Sequence, residues 1–165
     1  MKNVMMLLLL MAGGIQDVSA DDITANDINF SGTLVDTLPC EINDGQPVEI
    51  DFGDLGVNKV DGQNYQQPFK LTYVCEGTAV DMVLRYMGVA TTFDNSAVQS
   101  NIPDFGIRLQ HTKNGVVTAL DVGSTLPIPS YVGSSSFIAT PVKRTDAELQ
   151  EGHFTAAATL RLEYP

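Results

Sequence analysis

The last fourteen residues, Gly152–Pro165, read GHFTAAATLRLEYP and carry the clearest fold signal of the chain. Every second residue is apolar or glycine, and the residues between them are polar apart from Ala157. The apolar face consists of Gly152, Phe154, Ala156, Ala158, Leu160, Leu162 and Tyr164. A period of two is typical of a strand that is buried on one face. We therefore predict a strand that runs to the last residue and is held by neighbouring strands, since free chain termini fray. Its plainest interpretation is the last strand of a β-sandwich.

The same alternation recurs along the chain, whereas helical periodicity is scarce. Three further runs place apolar residues at every second position: Val48, Ile50, Phe52; Phe69, Leu71, Tyr73; and Met82, Leu84, Tyr86. Asn114-Gly115 lies between two apolar runs, which is a strong hairpin signal. Residues 143–151 alone could form a short helical turn. Seven or more short strands separated by turn residues predict an all-β fold, an immunoglobulin-like β-sandwich that begins near Cys40.

Composition and charge exclude several classes of function. The chain has 165 residues, 44% of them hydrophobic, which is enough to build the core of one domain. Twenty acidic residues against nine Lys and Arg leave a net charge of -11. Such a surface repels phosphate backbones, so we predict no nucleic-acid partner.

The first twenty residues have the layout of a secretory signal peptide. Lys2 precedes an unbroken apolar run over residues 4–12, and Val18-Ser19-Ala20 supplies the small-residue cleavage pattern. Nine apolar residues are too few to span a bilayer, which needs about 20. We expect the mature chain to start at Asp21 and not to span a membrane; a buried N-terminal helix is the alternative.

Export changes the interpretation of the two cysteines, Cys40 and Cys75. In an oxidising compartment such a pair most often forms a disulfide, although free thiols remain the alternative. Closing the loop between them would stabilise the fold by roughly 4 kcal/mol in the chain-entropy model. Two cysteines without nearby histidines cannot build a metal site, so we predict no metal and no cofactor.

A second alternating stretch precedes Cys40. Ile28, Phe30, Gly32 and Leu34 share one face, opposite polar residues. A strand here could pair within its own domain. Gly32 argues against that pairing, because glycine weakens a strand unless another backbone approaches closely.

These segments together resemble the pilin subunits assembled by the chaperone–usher route. Gly152 is the fourteenth residue from the C-terminus and Tyr164 is the penultimate one, as in the C-terminal motif of those subunits. The run Phe30-Ser-Gly-Thr-Leu34, followed by Pro39-Cys40, is similar to their N-terminal extension. Residues 40–55 and the run Phe105-Gly-Ile-Arg-Leu109 resemble minor tip and adaptor subunits of P-type fimbriae.

The resemblance implies an incomplete immunoglobulin-like sandwich, the pilin fold, which is completed by a donor strand from another chain. It divides the chain into a signal peptide (1–20), a donor-strand extension (21–39) and a pilin domain (40–165). The donor residues would be Ile28, Phe30, Gly32 and Leu34. The acceptor groove and chaperone-binding strand would be formed by Gly152, Phe154, Ala156, Ala158, Leu160, Leu162, Tyr164 and Pro165.

The implied partners are a periplasmic chaperone, an outer-membrane usher and neighbouring pilin subunits. The chain would pass through the periplasm to the cell-surface fimbrium, as a tip or adaptor subunit that supports adhesion. A major rod subunit and a terminating subunit are alternatives within the family. A different class is an exported carbohydrate-binding β-sandwich.

Catalytic constellations are scarce. His111 and His153 are the only imidazoles, and neither has the spacing of a metal site or a triad. We expect a solvent-exposed structural role for His111. Asp51 and Asp54 could form a carboxylate pair, but an acidic turn after a strand explains that spacing more simply. We therefore predict that the chain is not an enzyme.

Overall fold

The computed structural model describes residues 31–32, 40–76, 81–128 and 132–163. The chain divides into two units, Met1–Val35 and Asp36–Pro165, and every strand of the described residues belongs to the second. The predicted signal peptide and the predicted donor residues Ile28, Phe30 and Leu34 lie outside the described residues, as do Tyr164 and Pro165.

Nine strands form two antiparallel sheets in the described part of the chain. They are β1 Cys40–Ile42, β2 Gln67–Cys75, β3 Met82–Met87, β4 Ala97–Gln99, β5 Phe105–Lys113, β6 Val116–Ala119, β7 Thr125–Ile128, β8 Val132–Lys143 and β9 Thr159–Glu163. One sheet has the order β1-β2-β8-β5-β4 with β6 paired to β5, and the other has the order β7-β3-β9. Two short 3-10 turns, Asn43–Gly45 and Val57–Lys59, lie between β1 and β2. The prediction of an all-β fold is confirmed.

The core lies between the two sheets and is built from the predicted alternating faces. In β2, Leu71 and Tyr73 are buried while the intervening Thr72 is exposed. In β3, Met82 and Leu84 are almost completely buried. Residues of both sheets belong to one hydrophobic cluster. Period-two burial on both sheets is what makes the sandwich the stable arrangement.

The predicted hairpin and disulfide are both present. Lys113 pairs with Val116 across a two-residue turn in which Asn114 and Gly115 have φ angles of 52° and 78°. Two positive φ angles are the geometry that Asn-Gly favours. Cys40 and Cys75 form a disulfide between directly paired positions of β1 and β2.

Three local predictions are wrong. Residues 143–151 do not form a helical turn; Ala147 N–H donates to Arg144 O in a tight turn, and Asp146 has a φ of 61°, which no helix accepts. His111 is half-buried on β5, not exposed, since its ring centroid lies 5.4 Å from that of Phe137 on β8. Residues 48–52 belong to no sheet of the described structure, although their alternation predicted a strand.

The predicted C-terminal strand is confirmed over a shorter range. Thr159–Glu163 pairs with β3 as β9, and before it only Ala156 forms a bridge, to Ser100. Residues 152–158 otherwise lie outside the ladders of the described residues.

Candidate functional site

An apolar groove lies between a segment that has no ladder partner among the described residues and the segment that leads into β9. It has a volume of about 940 Å³ and runs between residues 45–52 on one side and residues 154–160 on the other. Besides Ile42 of β1, its remaining lining residues come from the strands beneath and are Phe69, Leu71, Tyr86, Val98, Ile107, Leu109 and Ala139. Five of these are buried core residues, so the groove reaches the interior of the sandwich.

The first wall of the groove, residues 45–52, has a hydrogen-bonded turn at each end. At the start, Gln46 N–H donates to Asn43 O, and the Asn43 side-chain amide donates back to Gln46 O. At the far end, Gly53 N–H donates to Asp51 Oδ1 at 2.8 Å. Between these anchors the side chain of Val48 is 39% exposed. This wall therefore has a local turn at each end, and its middle faces solvent.

The second wall is held by an asparagine that the sequence did not single out. Asn101 N–H donates to Thr155 O at 3.1 Å, and Thr155 N–H donates to Asn101 Oδ1 at 2.7 Å. The side-chain amide of Asn101 also donates to His153 O at 3.1 Å. Asn101 thus replaces a paired strand along residues 153–155. No local pattern distinguishes it from other polar loop residues.

The C-terminal end of this wall is joined to the core. Leu160 pairs with Tyr86 and Leu162 with Leu84 in the β3–β9 ladder. Glu163 accepts a hydrogen bond from Arg85 Nε at 2.8 Å and also pairs with Arg161. Hydrogen bonds from Arg161 and Arg85 hold the pKa of Glu163 below its usual range. These contacts secure β9 at the edge of the smaller sheet.

Three phenylalanine rings pack together at one end of the groove. The ring of Phe154 meets Phe105 edge-on with centroids 4.9 Å apart, and Phe52 with centroids 6.0 Å apart. Beyond them lies a second cavity of about 800 Å³, lined by residues 50–60 and 149–154 together with Ile102 and Phe105. Ile50, Phe52 and Phe154 line both cavities, which are therefore adjacent.

The predicted acceptor residues divide into those that line these cavities and those that do not. Phe154, Ala156, Ala158 and Leu160 line the groove, and Gly152 lines the second cavity. Ala156 and Ala158 are exposed although they lie on the apolar face. Leu162 packs against the core instead of the groove. Gly32, the one predicted donor residue that the structure describes, is exposed.

The groove offers apolar surface and main-chain groups rather than reactive side chains. Burial raises the pKa of Tyr86 on its floor well above the ordinary value, so this hydroxyl stays protonated. Among the described residues no group of three or more His, Cys, Asp or Glu side chains is arranged to hold a metal ion. In the same residues no helix is long and apolar enough to cross a membrane. Such a site can bind an extended peptide by strand pairing.

Comparisons with known proteins agree with this geometry. The family model described as "Fimbrial protein" matches residues 28–165. The chain is 32% identical to the uncharacterized fimbrial-like protein YfcQ of Escherichia coli K12 over 99% of both chains. It is 25% identical to the fimbrial adapter PapF of Escherichia coli, over 83% of this chain and 86% of that protein. The solved structure of the P pilus adaptor subunit PapF superposes with a TM-score of 0.61 at 23% identity, covering 78% of this chain and 98% of that one. The immunoglobulin-like pilin fold expected from the sequence is thereby confirmed.

Proposed function

The chain belongs to the fimbrial protein family, and from that premise we propose that it is a non-catalytic minor pilus subunit whose groove accepts a donor strand from a neighbouring subunit. As a member of this family it is a structural component of an extracellular pilus and associates with other pilin subunits. The tip or adaptor position is supported by its similarity to PapF along most of both chains.

One observation carries the proposal: the apolar face of residues 154–160 is uncovered, while the wall opposite has no ladder partner in the part of the chain that the structure describes. Ala156 and Ala158 are exposed on a face that a complete sandwich would bury. An added strand would pair with main-chain groups along the groove and cover the core residues of its floor. Uncovered apolar surface and open edges otherwise favour aggregation.

The N-terminal extension would supply the matching element to the next subunit. Burying Ile28, Phe30 and Leu34 in a neighbour's groove would contribute roughly 5–9 kcal/mol, less the cost of ordering the segment. Gly32 on the same face would allow close backbone approach. We propose that residues 21–39 are this extension and that residues 1–20 are removed on export.

Before assembly, a periplasmic chaperone would lend the missing strand and an outer-membrane usher would exchange it for the extension. Basic residues of the chaperone would bind the terminal carboxylate of Pro165 in a charge-assisted contact. The small side chains of Ala156 and Ala158 leave room for the inserted side chains.

A matched pair of variants tests the groove. Ala157 and Ala158 are adjacent and both exposed, but only Ala158 lines the groove. We would co-express wild type, Ala158→Glu and Ala157→Glu in a periplasm with a pilus chaperone and measure the recovered one-to-one complex. Wild type and Ala157→Glu should be recovered equally, and Ala158→Glu at no more than about a tenth of that yield, since a buried unpaired carboxylate costs several kcal/mol. Equal recovery of both variants would refute groove insertion.

A further inference from the structure

We infer that the charge around the groove selects a donor strand from a different subunit, one that carries lysine or arginine, over the extension of a second copy of this chain. The inference rests on the proposed function, because it concerns which strand enters the groove. It is carried by the charges that line the two cavities and by the charges of residues 21–39.

Carboxylates line the groove and the adjacent second cavity. Glu49 lines the groove itself. Asp51, Asp54 and Glu151 line the second cavity, where Lys59 is the one Lys or Arg among the described lining residues. With four acidic side chains against one lysine, the lining carries a formal charge of -3, counting His153 as neutral.

These four carboxylates are available to an incoming strand. Glu49, Asp51, Asp54 and Glu151 are exposed, and none of them takes part in the ion pairs found among the described residues. Asp51 accepts a hydrogen bond from Gly53 N–H, which leaves its charge in place. The charge at the groove is therefore not neutralised by the protein itself.

The extension of this chain carries the same sign. Residues 21–39 contain Asp21, Asp22, Asp27 and Asp36 and no Lys, Arg or His. Even with the α-amino group that cleavage after Ala20 would create, its net charge is -3 at a pH where that group is protonated. A second copy of this extension would thus bring like charge to a groove whose apolar surface it fits.

Charge of this kind acts mainly on the rate of encounter and on the choice of partner. Exposed charges interact within a Debye length of about 10 Å at 0.1 M salt. Complementary charge raises association rates by about ten- to a thousandfold at low salt, and like charge lowers them. The same apolar face can therefore be accepted or rejected according to the charges beside it. A subunit of this kind joins different neighbours instead of forming a polymer of itself.

The test uses three peptides that share the same apolar face and differ only in charge. The first is residues 21–39, the second carries all four Asp→Asn substitutions at positions 21, 22, 27 and 36, and the third carries Asp→Lys at the same positions. We would add each to the chaperone complex and measure the rate at which the chaperone is displaced, at about 25 mM and about 500 mM salt. A second measurement, the Tm of the chain refolded with each peptide, gives the ranking without the chaperone.

We expect the lysine peptide to displace the chaperone at least about tenfold faster than the native peptide at low salt, and the asparagine peptide to displace it at an intermediate rate. The differences should shrink at high salt. In the variant Glu49→Gln/Asp54→Asn/Glu151→Gln, the displacement rates of the lysine and native peptides should differ less. The displacement rate of the asparagine peptide should be nearly the same as with wild type. Equal rates that do not respond to salt would overturn the charge selection while leaving strand insertion intact. If none of the peptides displaces the chaperone or raises the Tm, the proposed function fails as well.

Discussion

At the scale of single residues, Phe154 links the C-terminal segment to the core. Its neighbours on both sides are held by Asn101, which accepts from Thr155 N–H and donates to His153 O. With the backbone fixed in this way, the ring lies between Phe52 and Phe105. The wall of the groove is thus in place before any strand fills it, which lowers the entropic cost of binding.

Replacing Asn101 should loosen this wall. In Asn101→Ala the two side-chain hydrogen bonds are lost, so we expect a loss of about 1–3 kcal/mol in the free energy of unfolding. Binding of a donor peptide should weaken with it, because the wall must then be ordered on binding. Urea denaturation and peptide titration measure the two effects.

Asn101→Asp serves as the matched control for that substitution. The aspartate keeps an acceptor for Thr155 N–H and loses the donor to His153 O, so it should fall between wild type and alanine. An Asn101→Ala variant with wild-type stability and wild-type peptide binding would show that the side-chain hydrogen bonds of Asn101, the clamp on this wall, are dispensable.

At the scale of elements, β1 is short and depends on a covalent link. It has three residues and lies at the edge of the larger sheet, paired with β2. The disulfide joins Cys40 to Cys75 at one end of this pairing, and Met82 Sδ packs 3.3 Å from Cys75 Sγ. Since residues 43–52 continue directly from β1, the first wall of the groove is attached to the sandwich through the β1–β2 pairing and this disulfide.

Removing the disulfide should therefore affect both stability and the groove. For Cys40→Ser/Cys75→Ser we expect a loss of roughly 4 kcal/mol, the value for closing a loop of this length. Donor peptide binding should fall with it, because residues 46–52 lose their anchor. Wild type under oxidising and reducing conditions provides the comparison. Reduced wild type that still binds peptide with unchanged affinity would contradict the anchoring role.

The same elements show what periodicity can and cannot predict. The alternation in β2 and β3 correctly identified their buried faces, because each has neighbours within the chain. Residues 48–52 alternate as regularly but form no described ladder, since periodicity reports which face is apolar and not whether a partner strand exists. His111 was misjudged for a related reason: its neighbour Phe137 lies on β8, far away in sequence. The groove could thus be foreseen from the C-terminal pattern, whereas its clamp, Asn101, could not.

At the scale of the whole molecule, two electrostatic effects oppose each other as the pH falls. The net charge of -11 at pH 7 destabilises the folded state by self-repulsion, and protonation toward the pI near 4.3 relieves it. Against this, certain carboxylates must stay ionised for the fold to keep its contacts. Asp94 is the most buried of them. Burial alone would raise its pKa, but hydrogen bonds from Ser96 and Arg108 outweigh burial and leave the pKa below its usual range.

The sign of each effect predicts a maximum of stability on the acid side of neutrality. A carboxyl whose pKa is lowered by folding stabilises the protein above the unfolded-state pKa, about 3.9 for aspartate, and this stability is lost as the pH falls through the folded-state value. Repulsion is relieved at higher pH than that. The lowered pKa of His111, caused by burial and by Lys113, works against this between about pH 7 and pH 5, because the unfolded chain binds that proton more readily. Since the relief of repulsion among many carboxylates outweighs this one group, we expect the urea midpoint to rise between about pH 7 and pH 5 and to fall steeply below about pH 4. Added salt should raise the midpoint at pH 7 and change it little near pH 5, since screening removes the same repulsion. In Asp94→Asn the acid-side fall should be shallower, and overall stability lower by about 1.5–3 kcal/mol because Arg108 loses its charged partner. A midpoint that declines steadily from pH 7 downward would mean that paired carboxylates, and not the net charge, govern the stability of this chain throughout.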